Sequence, residues 1–153
     1  MQVKCALNIE RSLKGEAPTL RQLLFTYDVE QVRVWLMAHM MDLNAFVGVR
    51  EKMQLEQMEM LANVFITKCM FIKASEVLLF FHKLKCGDLI EFYGAVDPLK
   101  VSIALNAFMT WRAAELNKIE VKRKEEKRLQ QLEDSKKTAI TREEYEQLKE
   151  RKK

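Results

Sequence analysis

Glycine and proline are scarce in this chain, and their scarcity limits the folds that it can form. Four glycines and two prolines in 153 residues make up about 4% of the chain, against an average near 12%. A β-fold needs many turns, and turns depend heavily on these two residues. Because 48% of the residues are nevertheless apolar, a core can form. The sequence therefore predicts an all-α protein with one domain and an appendage.

Apolar residues recur at spacings of three and four along most of the chain, as they do on one face of a helix. Helix starts are predicted near Thr19, Asp28, Leu55, Ser75 and Asp97. The last start is the clearest, because an aspartate suited to capping is followed by proline, which is tolerated in the first helical turn. These patterns predict a compact bundle of four or five helices.

The helix that starts at Asp97 has no glycine or proline to end it. Lys, Arg, Glu and Gln dominate residues 118–137, and all four are good helix formers. The bundle is therefore expected to carry a long charged C-terminal helical extension. Thr141 and Glu144 match a capping box, which predicts a short separate helix after it.

The chain is expected to have three parts. Residues 1–17 give an ambiguous signal, since their apolar residues alternate as in a strand that would have no partner. We expect a loosely docked N-terminal arm over residues 1–17, the helical bundle over 18–114 and the charged helical tail over 115–153.

Cysteine content and hydropathy suggest a compartment. Three cysteines are an odd number, and two of them lie in apolar helical stretches, which favours reduced thiols over a disulfide framework. The longest uncharged run, Val101–Trp111, has 11 residues, well short of the roughly 18 that a membrane-spanning helix needs. No secretion signal is visible at the N-terminus. These features predict a cytoplasmic protein without a membrane partner.

Charge is unevenly distributed. Residues 1–111 contain 12 basic and 12 acidic side chains, whereas residues 112–153 contain 14 and 10. The whole net charge of +4 therefore lies in the tail, and the body is electrically neutral.

The sequence contains no recognisable catalytic arrangement. It has two histidines, and neither belongs to a pattern typical of a nucleophilic triad. His39 lies on an apolar stripe and is expected to be a core histidine with its hydrogen bonds satisfied. His82 and Cys86 share a helix face, but a structural zinc site needs four ligands. We predict a non-enzymatic protein with no catalytic residue, metal or cofactor.

Two groups of side chains are candidates for binding nucleic acid. Lys83, Lys85 and Tyr93 could form a basic and aromatic surface that holds phosphates and stacks on bases. Alternatively, the glycines in this segment cap helices, its aromatic residues pack the connection and its lysines are solvated. In the tail, the candidates are Lys118, Lys122, Arg123 and Lys127. Acidic residues lie among them, so a merely solvated helix is the alternative.

The last predicted helix offers a candidate contact with a protein. Tyr145 and Leu148 lie three residues apart, on one face of that helix. They could dock in a groove of a partner, or the helix could be an ordinary frayed end.

Several segments between residues 18 and 112 suggest a family. They are Pro18-Thr19-Leu20-Arg21, Asp42-Leu43-Asn44 with Phe46, Gln57 before Leu61-Ala62, Glu76 with Phe80-Phe81, Lys85-Cys86-Gly87, Phe92-Tyr93-Gly94 with Asp97-Pro98, and Phe108 with Arg112. In this succession the chain resembles small uncharacterised proteins of gut Bacteroidales genomes and their mobile elements. The resemblance implies no activity. In helical layout the chain is also similar to phage helicase loaders, in which a small helical domain precedes a flexible tail that engages the replicative helicase.

Two functional hypotheses follow. In the first, the chain is a DNA-associated accessory protein of a phage or mobile element, and its partners are DNA and a replication protein such as a helicase. In the second, it is a structural or protein-interaction module that assembles through its C-terminal helix without binding nucleic acid.

Overall fold

The computed structural model describes residues 1–138, which form seven helices and no strand. The helices are α1 (Gln2–Leu7), α2 (Ile9–Lys14), α3 (Leu20–Thr26), α4 (Val29–Val47), α5 (Leu55–Lys68), α6 (Ala74–Lys85) and α7 (Pro98–Thr138). The all-α prediction and the long C-terminal helix are confirmed. The short helix predicted from Thr141 lies outside the described residues.

Side-chain caps start several helices where the sequence predicts them. At α3, the Thr19 hydroxyl accepts from the Gln22 N–H while the Gln22 amide oxygen accepts from the Thr19 N–H. At α4, the Asp28 carboxylate accepts from the Gln31 N–H at 2.7 Å. These bonds satisfy backbone donors that the first turn of a helix leaves without partners.

The start predicted at Ser75 is wrong by two residues. The N-cap of α6 is Lys73, whose N–H donates to the Glu76 carboxylate at 2.7 Å. The Ser75 hydroxyl instead donates to the Ser12 carbonyl at 2.7 Å. A bond to a distant segment takes the hydroxyl away from its own helix end, and the glutamate supplies the cap.

Helix α6 is at the centre of the core. Seven of its twelve residues are buried, so it is covered on several sides. The centre of the Phe80 ring lies 5.6 Å from that of Phe65, 5.3 Å from that of Phe81 and 5.4 Å from that of Phe108. These aromatic contacts connect α6 to α5 and to the first part of α7.

Residues 2–14 form the short helices α1 and α2, which pack on α6. The alternation of apolar residues does not produce a strand. Cys5 of α1 packs against the core, and in α2 Ile9 and Leu13, four residues apart on one helical face, also turn inward. The Lys73 ammonium fixes the end of α2 by donating to the carbonyls of Leu13 and Gly15, at 2.9 and 2.7 Å.

The chain divides into two compact units, of which the first is Met1–Ala114 and the second begins at Glu115. Helix α7 contributes residues to both. In the first unit, Val101, Ala104, Leu105 and Phe108 of α7 are buried. In the second, every side chain from residue 120 to residue 137 is exposed. We call residues 115–138 the α7 extension.

Candidate functional site

Lys83, near the end of α6, is held by its own surroundings. Its ammonium lies 2.9 Å from a carboxylate oxygen of Asp88 and 4.4 Å from the centre of the Trp111 ring. The ammonium thus makes an ion pair with the carboxylate and a cation–π contact with the ring, and these two groups cover most of the lysine side chain. Its positive charge is therefore largely compensated within the protein.

Lys85 is held in a similar way on another side of α6. Its ammonium pairs with the Asp42 carboxylate of α4 and lies 5.6 Å from the centre of the Phe46 ring. Asp42 also accepts from the Gln2 side-chain amide at 3.2 Å. Residues two apart on a helix do not share a face, so the structure does not bring Lys83 and Lys85 together into one basic patch.

Tyr93 lies in the connection between α6 and α7 and is largely exposed. Its hydroxyl donates to the Glu91 carboxylate, and that hydrogen bond and negative charge raise the pKa of the phenol. The neighbouring Phe92 packs against the core. Gly87 and Gly94 have φ values of 75° and 74°, a left-handed conformation that favours glycine. In this segment the two glycines form turns, as the structural alternative predicts, and the Tyr93 ring is exposed.

Most cations of the α7 extension have acidic neighbours one turn away on the same helix. The ion pairs are Lys118 with Glu115, Lys122 with Glu126, Lys124 with Glu120, Arg128 with Glu125, and Lys137 with Asp134, at 2.7 to 4.0 Å. The other two sequence candidates there, Arg123 and Lys127, are also exposed. Exposed pairs of this kind each stabilise a helix by about 0.2–0.5 kcal/mol. Positive charge in the extension is thus locally compensated.

The candidate partner-binding residues Tyr145 and Leu148 lie outside the described residues. Their predicted role in docking stays a prediction.

His39 is packed between aromatic rings, but it is not the satisfied core histidine that the sequence suggests. Its ring centre lies 4.9 Å from that of Trp35 and 5.6 Å from that of Phe81. The Gln2 amide nitrogen is 3.4 Å from Nδ1, whereas Nε2 is buried and has no hydrogen-bond partner. Burial lowers the pKa of His39 below its ordinary value near 6.5, against an opposing effect of Asp42.

This burial predicts a pH dependence of stability. The other charged groups facing the ring are Lys85 and the N-terminal amine, and both also lower its pKa. The unfolded chain therefore binds a proton more readily than the folded one, and the free energy of unfolding should fall as pH drops below about 6.5. Urea unfolding at pH 7.5, 6.5 and 5.5 measures this change in the free energy of unfolding. His39→Phe should make the free energy of unfolding nearly independent of pH between 5.5 and 7.5. If the variant shows the same pH dependence as wild type, that dependence comes from other groups.

Sequence reasoning missed an apolar groove, which is lined in part by Trp35, the residue whose ring contacts His39. It has a volume of about 540 Å³ and is lined by residues of α3, α4 and α6, with Met1 at one side. Its lining includes Leu23, Tyr27, Val32, Trp35 and Leu78. Gln31 is a polar side chain in this lining, which carries no charged side chain. The groove arises from contacts between separate helices, so no local pattern could have revealed it.

His82 of α6 and Cys86, the residue that follows the helix, do meet, with Sγ 3.5 Å from Nε2. Within residues 1–138, however, no group of three or more His, Cys, Asp or Glu side chains is arranged to hold a metal ion. The three cysteines are free thiols, and burial raises the pKa of Cys69. None of the helices in this part of the chain is long and apolar enough to cross a membrane.

Comparison with known proteins gives one family. No curated protein and no solved structure matches the chain. A family model described as a family of unknown function, DUF6633, matches residues 52–153, which include α5, α6 and α7. The match covers two thirds of the chain, from the end of the α4–α5 connection onward. The chain therefore belongs to the DUF6633 family.

Proposed function

We propose that this chain is a non-enzymatic protein-interaction module of the cytoplasm that assembles through the α7 extension. The observation that supports this is an apolar side on an otherwise charged, exposed helix. Val121, Leu129 and Leu132 are each about half exposed. At 3.6 residues per turn they fall within an arc of about 80°. Between Val121 and Leu132, Glu125 is the only charged residue within that arc, and it pairs at 3.8 Å with Arg128 just outside it. Lys118 and Lys136 lie on the same side, beyond the two ends of the apolar segment.

The charges of the extension favour a protein over a polyanion as its partner. Residues 115–138 contain eight basic and six acidic side chains, and most of the cations have a carboxylate one turn away. Binding to nucleic acid draws its affinity from cations that neutralise phosphates and release counterions. Side chains already compensated on their own helix contribute less to such binding. A second helix with an apolar side can instead bury Val121, Leu129 and Leu132.

The test uses the full chain with matched charge changes. Leu129→Lys with Leu132→Lys places two cations on the apolar side, whereas Gln130→Lys with Gln131→Lys adds the same charge beside it. Light scattering over a range of protein concentrations should show a smaller assembly for the leucine variant and the wild-type mass for the glutamine variant. Equal masses for the leucine variant and the wild type would rule the proposal out.

DNA association is the second candidate, and the net charge of +2 on residues 115–138 supports it. In this form the chain would act as an accessory factor of a phage or mobile element, with a helicase-loader-like role. Gel-shift titrations of the same three proteins at two salt concentrations separate the candidates. The glutamine variant should bind DNA more tightly than wild type if DNA is the target. The interaction-module proposal expects no DNA binding by the wild type even at low salt.

A further inference from the structure

Helix α4 has an apolar stripe on the side that faces away from the core. Val34, Ala38, Met41 and Ala45 recur at spacings of four, three and four, so they fall within an arc of about 60°. The core residues Leu36, Met40 and Leu43 lie on the opposite side and are fully buried. Val34 is 62% exposed and Met41 48% exposed, and both alanines are exposed as well. We call these four residues the α4 stripe.

The α4 stripe is free of charge along its central length. The eight residues from Val34 to Met41 include no Asp, Glu, Lys or Arg. The nearest acidic residue beyond them, Asp42, is paired with Lys85 of the same chain. A helix that faced only water would normally have charged or polar residues on this side. Such a side is typical of a helix that packs against another helix.

We propose that the α4 stripe binds a second copy of this chain, with the two α4 helices antiparallel about a twofold axis. The axis passes midway between positions 38 and 41. Val34 then lies against the partner's Ala45, and Met41 lies against the partner's Ala38. Each large side chain meets a small one, which lets the helices approach closely, and both contacts occur twice by symmetry.

Charge at the two ends of α4 favours this antiparallel arrangement. Asp28, Glu30 and Arg33 give the N-terminal end of α4 a net charge of −1, because Arg33 pairs with Glu30, and Asp28 is exposed. The segment Arg50–Lys52, which follows the C-terminal end, carries a net charge of +1 and is exposed. Antiparallel packing brings each acidic end next to the partner's basic segment, whereas parallel packing would bring like charges together. The helix dipoles also oppose each other favourably.

The size of the α4 stripe limits the affinity that we expect for the dimer. Nineteen residues of α4 span about 28 Å, and a single helix face covers less than the ~800 Å² per partner of a standard stable interface. The dimer is therefore expected to dissociate in the micromolar range and to exchange readily. This contact is separate from the α7 extension and goes beyond the function proposed above.

The experiment is done in full chains that carry Leu129→Lys with Leu132→Lys, so that association through the α7 extension is removed. Sedimentation equilibrium of this background protein should show a monomer–dimer equilibrium. Ala38→Glu and Met41→Lys, each added alone, place like charges across the twofold axis and should weaken the dimer at least tenfold. Met60→Lys is the control, because Met60 is an exposed apolar residue of α5 outside the stripe. It should leave the equilibrium unchanged.

Mixing the two weakened variants tests the pairing itself. In a mixed dimer Glu at position 38 of one chain faces Lys at position 41 of the other, while the second contact keeps Met41 against Ala38. Dimers should therefore reappear in an equimolar mixture of the two variants. Circular dichroism checks that each variant is folded. A background protein that stays monomeric at all concentrations, or a mixture that stays monomeric, overturns the proposal without affecting the result for the α7 extension.

Discussion

Replacing Arg112 by alanine should lower the free energy of unfolding by about 3–5 kcal/mol, the range for breaking a buried ion pair by removing one partner. The Glu76 side chain is 0% exposed, and the Arg112 guanidinium donates to its two oxygens, with Nε at 2.6 Å from Oε1. Without Arg112 this carboxylate keeps the Lys73 N–H as a donor but loses the charge that compensates its burial. Urea unfolding followed by tryptophan fluorescence measures the loss.

Arg112→Met separates the effect of charge from that of packing, and Arg33→Ala is the control at an exposed ion pair. The Arg112 guanidinium also lies 5.5 Å from the centre of the Phe71 ring, so its truncation removes some contact as well as charge. Arg112→Met keeps an apolar stem and should still be strongly destabilised. Arg33→Ala removes an arginine that pairs with the largely exposed Glu30 and Glu59, and it should cost about 1 kcal/mol or less. A loss below 1 kcal/mol for both Arg112 variants would contradict the assigned role of the ion pair.

The helices could be predicted from the sequence because their signals are local. Apolar spacing and capping side chains act within one or two turns, and Asp28 caps α4 where the pattern predicts it. The central position of α6 also has a local signal, since apolar residues occupy more than half of its circumference. The N-terminal helices were harder to predict. There the apolar residues fit both the alternation of a strand and the four-residue spacing of a helix. Only the packing of this segment on α6 decides between the two.

The candidate site could not be predicted in the same way, because its electrostatics depends on residues far apart in the chain. Lys85 pairs with Asp42, which precedes it by 43 residues, and no local spacing reveals such a pair. Lys83 is covered by Trp111 of another helix. The α4 stripe is different, since its spacing of four, three and four is visible in the sequence. Recognising it as a surface required knowing which side of α4 faces the core.

Replacing Phe80 by alanine should also cost about 3–5 kcal/mol, because a buried ring is lost and the surroundings close the cavity only in part. Phe80 is 0% exposed and lies within 5.6 Å of three other aromatic rings, which come from α5, α6 and α7. Phe25→Ala is the matched control, since Phe25 is 82% exposed and its loss should change stability by less than about 0.5 kcal/mol. Thermal and urea unfolding compare the two variants. Similar losses at both positions would mean that the core is not centred on α6, whereas a large loss at Phe80 alone is what an aromatic cluster joining three helices requires.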